Sequence, residues 1–150
     1  MIIGLGIDII EVNRIRSSFE RFGEQFTRRI LRPSEVEYCL SHKDPAPFFA
    51  ARFAAKEAVS KAFGTGIGAQ LGWQDMEVLR YASGQPHVVL HGEGLALMRQ
   101  LQGHRLHLSL SHTKEHATAV AVLEGWPAYG ASVTAELTSG ATDSSHPPAG

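Results

Sequence analysis

Phe48-Phe49-Ala50-Ala51-Arg52-Phe53-Ala54-Ala55-Lys56-Glu57-Ala58-Val59-Ser60-Lys61-Ala62-Phe63, closed by Gly64, is the strongest helical stretch of the chain. It is rich in alanine, which loses no side-chain entropy in a helix. A glycine directly after it suits the left-handed turn that ends many helices. Working outward, the Asp44-Pro45-Ala46-Pro47 break precedes it, and before that Pro33-Ser34-Glu35 opens a shorter helix carrying Val36, Tyr38, Cys39 and Leu40. Glu11 to Phe22 places Ile15, Phe19 and Phe22 at helical spacing, and after Gly23 a second short amphipathic stretch runs through Phe26, Ile30 and Leu31. Residues 2 to 10 alternate as a strand, with Ile3, Leu5, Ile7 and Ile9 on one face and Gly4, Gly6 and Asp8 on the other. Two glycines leading to a carboxylate imply that something approaches this backbone closely.

On the other side of the long helix, Asp75 to Tyr81 and His87 to Leu90 read as a hairpin around Ala82-Ser83-Gly84-Gln85-Pro86. A short helix is expected over Gly94 to Gln102, ended by Gly103. Leu106, Leu108 and Leu110 then alternate with polar residues, and after a turn at Ser111-His112-Thr113-Lys114 the run Ala117 to Leu123 alternates again. Mixed elements with hairpin links predict an α+β fold, a small antiparallel sheet packed with a long central helix.

With 150 residues, the chain has the size of one domain. Trp126 to Gly150 is dominated by Gly, Pro, Ala, Ser and Thr, has no Lys or Arg, and shows no apolar period. Such a segment buries too little to offset its ordering entropy, so residues 1–125 are expected to carry the function and 126–150 to form a flexible tail. Fourteen Lys+Arg against 15 Asp+Glu argue against a generally basic nucleic-acid binder. The apolar run Met1 to Ile7 is too short to span a bilayer and has no basic flank, so neither secretion nor membrane insertion is expected. The single cysteine, Cys39, allows no internal disulfide and suits a reducing cytoplasm.

Several groups could do chemistry. Glu57 and Lys61, four apart, rise from one face of the long helix, with Arg52, Lys56 and Ser60 placed on or near that side. The same spacing also occurs in ordinary surface ion pairs. Gly64-Thr65-Gly66-Ile67-Gly68 could present backbone N–H groups to phosphate oxygens, or could simply end the helix. Asp8 is either a helix N-cap or an oxygen ligand for Mg²⁺, an ion usually held by one or two carboxylates with water and substrate phosphates. Ser109, Ser111, His112 and Thr113 gather donors at a strand end, although alternate serines also mark a solvent face. Arginines 14, 16, 21, 28, 29 and 32, with two acids among them and no lysine, fit either a solvated helix face or an anchored contact with carboxylates or phosphates.

Three segments read together resemble one family. Gly4-Leu5-Gly6-Ile7-Asp8-Ile9-Ile10-Glu11, Arg52 to Gly66, and Leu108-Ser109-Leu110-Ser111-His112-Thr113-Lys114-Glu115 closely resemble, in order and spacing, the holo-acyl-carrier-protein synthases, the short bacterial type of 4′-phosphopantetheinyl transferase. The resemblance covers about residues 1 to 124. It implies transfer of the 4′-phosphopantetheine arm of coenzyme A to a serine of apo-acyl carrier protein, releasing adenosine 3′,5′-bisphosphate, by a homotrimer with active sites at subunit interfaces. It further implies that Asp8 and Glu57 hold Mg²⁺ and that Lys61 lies near the reacting phosphate. Arg52, Gly64, Thr65, Gly66, Ser111, His112 and Thr113 would contact coenzyme A, and Arg14 and Arg21 would meet the acidic carrier protein. Lys61, or Glu57 through a metal-bound water, could take the serine proton. The competing readings are a non-catalytic coenzyme A or nucleotide-binding module that docks an acidic protein, and a diphosphate hydrolase.

Overall fold

The computed structural model describes residues 1–127; of the expected tail, only Trp126 and Pro127 fall inside that range. The elements run β1 (Ile2–Glu11), α1 (Val12–Phe22), α2 (Glu24–Ile30), α3 (Pro33–Leu40), α4 (Ala46–Ala62), β2 (Met76–Arg80), β3 (Pro86–Leu90), α5 (Gly92–Gln100), β4 (Gly103–His112) and β5 (His116–Gly125). The α+β class holds. The strands form two antiparallel sheets rather than one: a three-stranded sheet in the order β1-β5-β4, and a separate β2-β3 hairpin.

Several boundaries move for local reasons. Helix α4 begins at Ala46 and takes Pro47 into its first turn, because proline lacks an N–H that this turn would leave unpaired anyway. Helix α5 starts two residues earlier than expected, at Gly92. Phe22 is 50% exposed, since Gly23 turns the chain away before the last apolar residue of α1 can reach the core.

The core is the seam between α4 and the three-stranded sheet. The alanines at 50, 51, 54, 55, 58 and 62 are buried, with Phe49 and Val59 beside them. Their small side chains let the helix lie close on the inward faces of Ala117, Ala119, Ala121 and Leu123. The close approach expected at β1 is that of α4: a Cβ on Gly4 would meet the Ala62 carbonyl oxygen at 1.7 Å, and one on Gly6 the Ala58 carbonyl oxygen at 1.8 Å. Leu5, Ile7 and Ile9 of β1 therefore face away from the core, each more than 60% exposed, while Ile10 on the helix-facing side is buried.

Candidate active site

Side chains alternate along β1, so Asp8 shares the helix-facing side with Gly4 and Gly6. The glycines draw the strand against α4, and Asp8 meets its last turns. Its carboxylate accepts from Lys61 Nζ at 3.0 Å, and the same ammonium donates to the Ile7 carbonyl at 2.9 Å. The Asp8 side chain is 16% exposed and that of Lys61 49%, so the pair lies at an open edge rather than in the core. Thr118 on β5 donates through its hydroxyl to the Asp8 carbonyl at 2.8 Å and holds this part of β1 in place. Reading the sequence did not single out Thr118, whose only signal is a hydroxyl within the otherwise apolar run Ala117 to Leu123.

Glu57 lies one turn before Lys61 on α4. Burial pushes its carboxyl pKa above the ordinary value, the nearby Asp8 charge pushes the same way, and Lys61 opposes both. The structure therefore brings Asp8, Glu57 and Lys61 together from two distant segments. Two neighbouring carboxylates, with the charge of Glu57 disfavoured, beside a backbone carbonyl suit a hard divalent cation such as Mg²⁺, which needs few protein ligands when substrate phosphates and water complete its shell. Among the described residues no three His, Cys, Asp or Glu side chains converge, so a zinc-type ligand set is missing there.

Arg52, Lys56 and Ser60 do not join this face. At 100° per residue, Arg52 projects on the side of α4 opposite Lys61. It is 2% exposed and lies over the Tyr38 ring at 4.1 Å, with Nε and one terminal nitrogen unpartnered. Lys56 is fully buried and donates to the Glu35 carboxylate at 2.8 Å and to the Ile30 and Trp73 carbonyls at 2.7 and 3.0 Å. Ser60 donates to the Glu57 carbonyl within the helix.

The Gly64–Gly66 turn also differs from the phosphate-cradle reading. Its N–H groups cap α4: Gly64 donates to the Lys61 carbonyl at 3.0 Å, and Thr65 and Gly66 both donate to the Ser60 carbonyl at 3.2 Å. Gly64 and Gly66 have φ of 77° and 65°, the conformation that such a cap requires. These backbone donors are already engaged.

Ser111, His112 and Thr113 lie at the other end of α4. The His112 ring is 5.3 Å from Phe48, which in turn stacks on His42 at 3.5 Å. Ser111 points to the opposite face of the sheet from His112, and Thr113 closes the β4–β5 turn, accepting from the Glu115 and His116 N–H groups. From Phe48 to Gly64 the helix rises about 24 Å. One copy of the chain thus presents its two expected donor-binding segments far apart.

Arg14 and Arg21 are exposed on α1. Arg14 borders a shallow cleft with Asn13, Ser17, Phe26 and Phe53, and the Arg21 guanidinium lies 5.0 Å from the centre of the Phe22 ring. The Cys39 thiol is buried and pushed up to about 12, so it is no nucleophile at neutral pH.

Comparison with known proteins identifies the family. Residues 4–121 match the family model of the 4′-phosphopantetheinyl transferase superfamily. The holo-[acyl-carrier-protein] synthase of Koribacter versatilis is 49% identical over 124 residues, 83% of this chain and 99% of that protein. The synthase of Chlorobaculum parvum is 44% identical over 80% of this chain and 97% of its own length. Among solved structures, the Neisseria meningitidis synthase superposes with a TM-score of 0.78 at 33% identity, covering 83% of this chain and 99% of that one. A Helicobacter pylori synthase in complex with coenzyme A gives 0.72 at 36%, over 80% and 99%. A matched region that spans every site residue named above, with relatives and folds that agree along nearly their whole length, places the chain in the 4′-phosphopantetheinyl transferase superfamily, among the holo-acyl-carrier-protein synthases.

Proposed function

We propose that Asp8, Glu57 and Lys61 are the groups with which this transferase moves the 4′-phosphopantetheine arm from coenzyme A to a serine of apo-acyl carrier protein. The observation that carries the reading is the contact of Lys61 with Asp8, beside a Glu57 whose ionisation is disfavoured. The serine oxygen forms a bond to the β-phosphorus, the bond from that phosphorus to the bridging oxygen breaks, and adenosine 3′,5′-bisphosphate departs with the bond's electron pair. The serine proton passes to a base.

Asp8 and Glu57 are the residues that would hold Mg²⁺, which when bound offsets the charge of the diphosphate and orients it. Lys61 neutralises phosphoryl oxygens that gain charge as the bond breaks. The candidate bases are Glu57 and Lys61, whose ammonium is engaged with the Asp8 and Ile7 oxygens in the free protein. Gly64, Thr65 and Gly66 meet coenzyme A through the outer surface of their turn, since their N–H groups cap α4. Ser111, His112 and Thr113 contact coenzyme A, and Arg52, buried against Tyr38, acts by fixing α3 against α4.

The chain acts as a homotrimer with each active site between two subunits. The exposed β1 residues Leu5, Ile7 and Ile9 support this, as does the separation of the Gly64–Gly66 and Ser111–Thr113 segments along α4: a second copy can supply the missing half. Arg14 and Arg21 dock the acidic carrier protein, and residues 1–125 suffice for the reaction. Cytoplasmic location is in keeping with a lone buried cysteine. Among the described residues no helix is long and apolar enough to cross a membrane.

Mixing the protein with apo-carrier protein, coenzyme A and Mg²⁺ tests the function by mass spectrometry of the carrier. Gain of one phosphopantetheine arm is expected. An unmodified carrier would support the binding-module alternative, and coenzyme A cleaved without carrier would point to a hydrolase.

A further inference from the structure

We infer that the Lys61 ammonium is the resident counter-ion of the Asp8 site and exchanges with the divalent cation, so that metal binding itself releases Lys61 toward the substrate phosphates. The inference rests on the Mg²⁺ reading above. Lys61 Nζ bridges two adjacent hard oxygens, the Asp8 carboxylate at 3.0 Å and the Ile7 carbonyl at 2.9 Å, a donor pair of the kind that also suits Mg²⁺. An ammonium and a metal ion cannot both occupy that space. Lysine suits such an exchange because its charge sits on a flexible four-carbon stem. Here the stem is held only at its tip: Lys61 is exposed, in contrast to Lys56, fully buried one turn earlier. The Asp8 side chain is the more enclosed partner, so it stays while the lysine head swings out. The exchange also accounts for an otherwise wasteful arrangement, in which two carboxylates are packed near one another in the free protein: Lys61 offsets their repulsion until a cation does.

The chain has only four lysines, Lys43, Lys56, Lys61 and Lys114, so the Lys61 side chain is readily followed by NMR of lysine-labelled protein, with Lys61→Met identifying its signal. The full chain, without coenzyme A, is titrated with Mg²⁺ while binding is measured by calorimetry. The Lys61 signal is expected to move toward that of a solvated lysine in step with occupancy, and to stay unmoved in Asp8→Asn. Lys61→Met is expected to bind Mn²⁺, read by electron paramagnetic resonance, about three- to fivefold more tightly, the change that loss of a competing half-exposed ion pair supplies. Saturable metal binding with a stationary Lys61 signal overturns the exchange, as does metal that binds only when coenzyme A is present. Metal that binds in neither condition removes the Mg²⁺ reading itself.

Discussion

The Ala58 carbonyl oxygen occupies the place where a side chain on Gly6 would begin, 1.8 Å from the position of its Cβ. Backbone touches backbone here, and no rotamer can relieve the overlap. Gly6→Ala must push β1 away from α4, and Asp8 moves with the strand, two residues further along the same face. Overpacking of this kind costs about 3 kcal/mol or more, which for a chain of this size lowers Tm by about 6–12 °C. Activity should fall further than stability accounts for, because Asp8 loses its place beside Glu57 and Lys61. Calorimetry and carrier modification on the same sample check both effects, and a Gly6→Ala protein with unchanged Tm would count against the packing.

Glu35 and Lys56, both fully buried, form the polar knot of the fold. The Glu35 carboxylate accepts from Lys56 and from the N–H groups of Arg32 and Val78, so one side chain fastens α3, α4 and β2. Burial pushes the Lys56 pKa down, and Glu35 holds it up. Lys56→Met leaves a buried carboxylate and the Ile30 and Trp73 carbonyls without their donor, a loss of about 3–5 kcal/mol. The expected result is a Tm lower by about 10 °C or more. Lys56→Arg should not rescue it, since a planar fork cannot reproduce the ammonium's three directions.

Much of the fold was readable because its signals are local. The alanine-rich run, the glycine after it and the alternation on β4 and β5 each specify one element. Faces were harder to read. Alternation on β1 separates Ile3, Leu5, Ile7 and Ile9 from Gly4, Gly6 and Asp8, but not which set meets the core; here the bare set does, because α4 needs contact distance. Helical spacing joined Glu57 to Lys61 correctly, whereas Arg52 and Lys56 lay too far round the axis to share their face. The Gly64–Gly66 donors turned out to be used by the helix end, which depends on three-dimensional hydrogen bonding that composition does not carry. Asp8 and Glu57 meeting is likewise a tertiary fact: in the sequence the two carboxylates were only sufficient for Mg²⁺, and the family resemblance pointed to their pairing.

Glu57 should leave a signature in stability against pH. Its folded-state pKa lies above the ordinary 4.5, so the folded chain holds this proton more tightly than the unfolded chain. The resulting stabilisation is fully present below about pH 4.5 and is lost as pH rises through the raised value. Without metal at neutral pH, Glu57→Gln should therefore be more stable than the parent, with the difference vanishing below pH 4.5. Saturating Mg²⁺ should reverse the order, because only the parent gains a ligand. Denaturant melts from pH 4 to 8, with and without Mg²⁺, give the comparison. Carrier modification by Glu57→Gln or Asp8→Asn should fall at least about a hundredfold, in line with losing metal-assisted charge stabilisation.

Arg14 and Arg21 stand on the exposed side of α1, where long-range attraction governs encounter more than tight contact. Arg14→Ala and Arg21→Ala should raise the Michaelis constant for the carrier several-fold at low salt while leaving kcat nearly unchanged. The penalty should shrink toward physiological ionic strength, where the screening length is about 8 Å. A steady-state series in carrier concentration at two salt levels distinguishes this from loss of fold. A carrier Michaelis constant that ignores both substitutions would remove the docking role.

The outward face of the three-stranded sheet carries Leu5, Ile7 and Ile9, at 65%, 61% and 65% exposure, beside Val120 and Val122 of β5 in register. A contiguous apolar face of this kind on a small protein marks a surface that is covered in use. If three copies cover it, Ile7→Glu places one charge per subunit against that seam, with no partner to offset its desolvation. Light scattering coupled to size exclusion should then show the mass fall from three copies to the single chain's 16.3 kDa. Secondary structure should survive, because Ile7 makes no core contact within its own subunit. Carrier modification should be lost together with assembly, since Ser111–Thr113 and Gly64–Gly66 would no longer meet across a boundary. A variant that stays trimeric, or a parent chain that is active as a monomer, overturns the shared site.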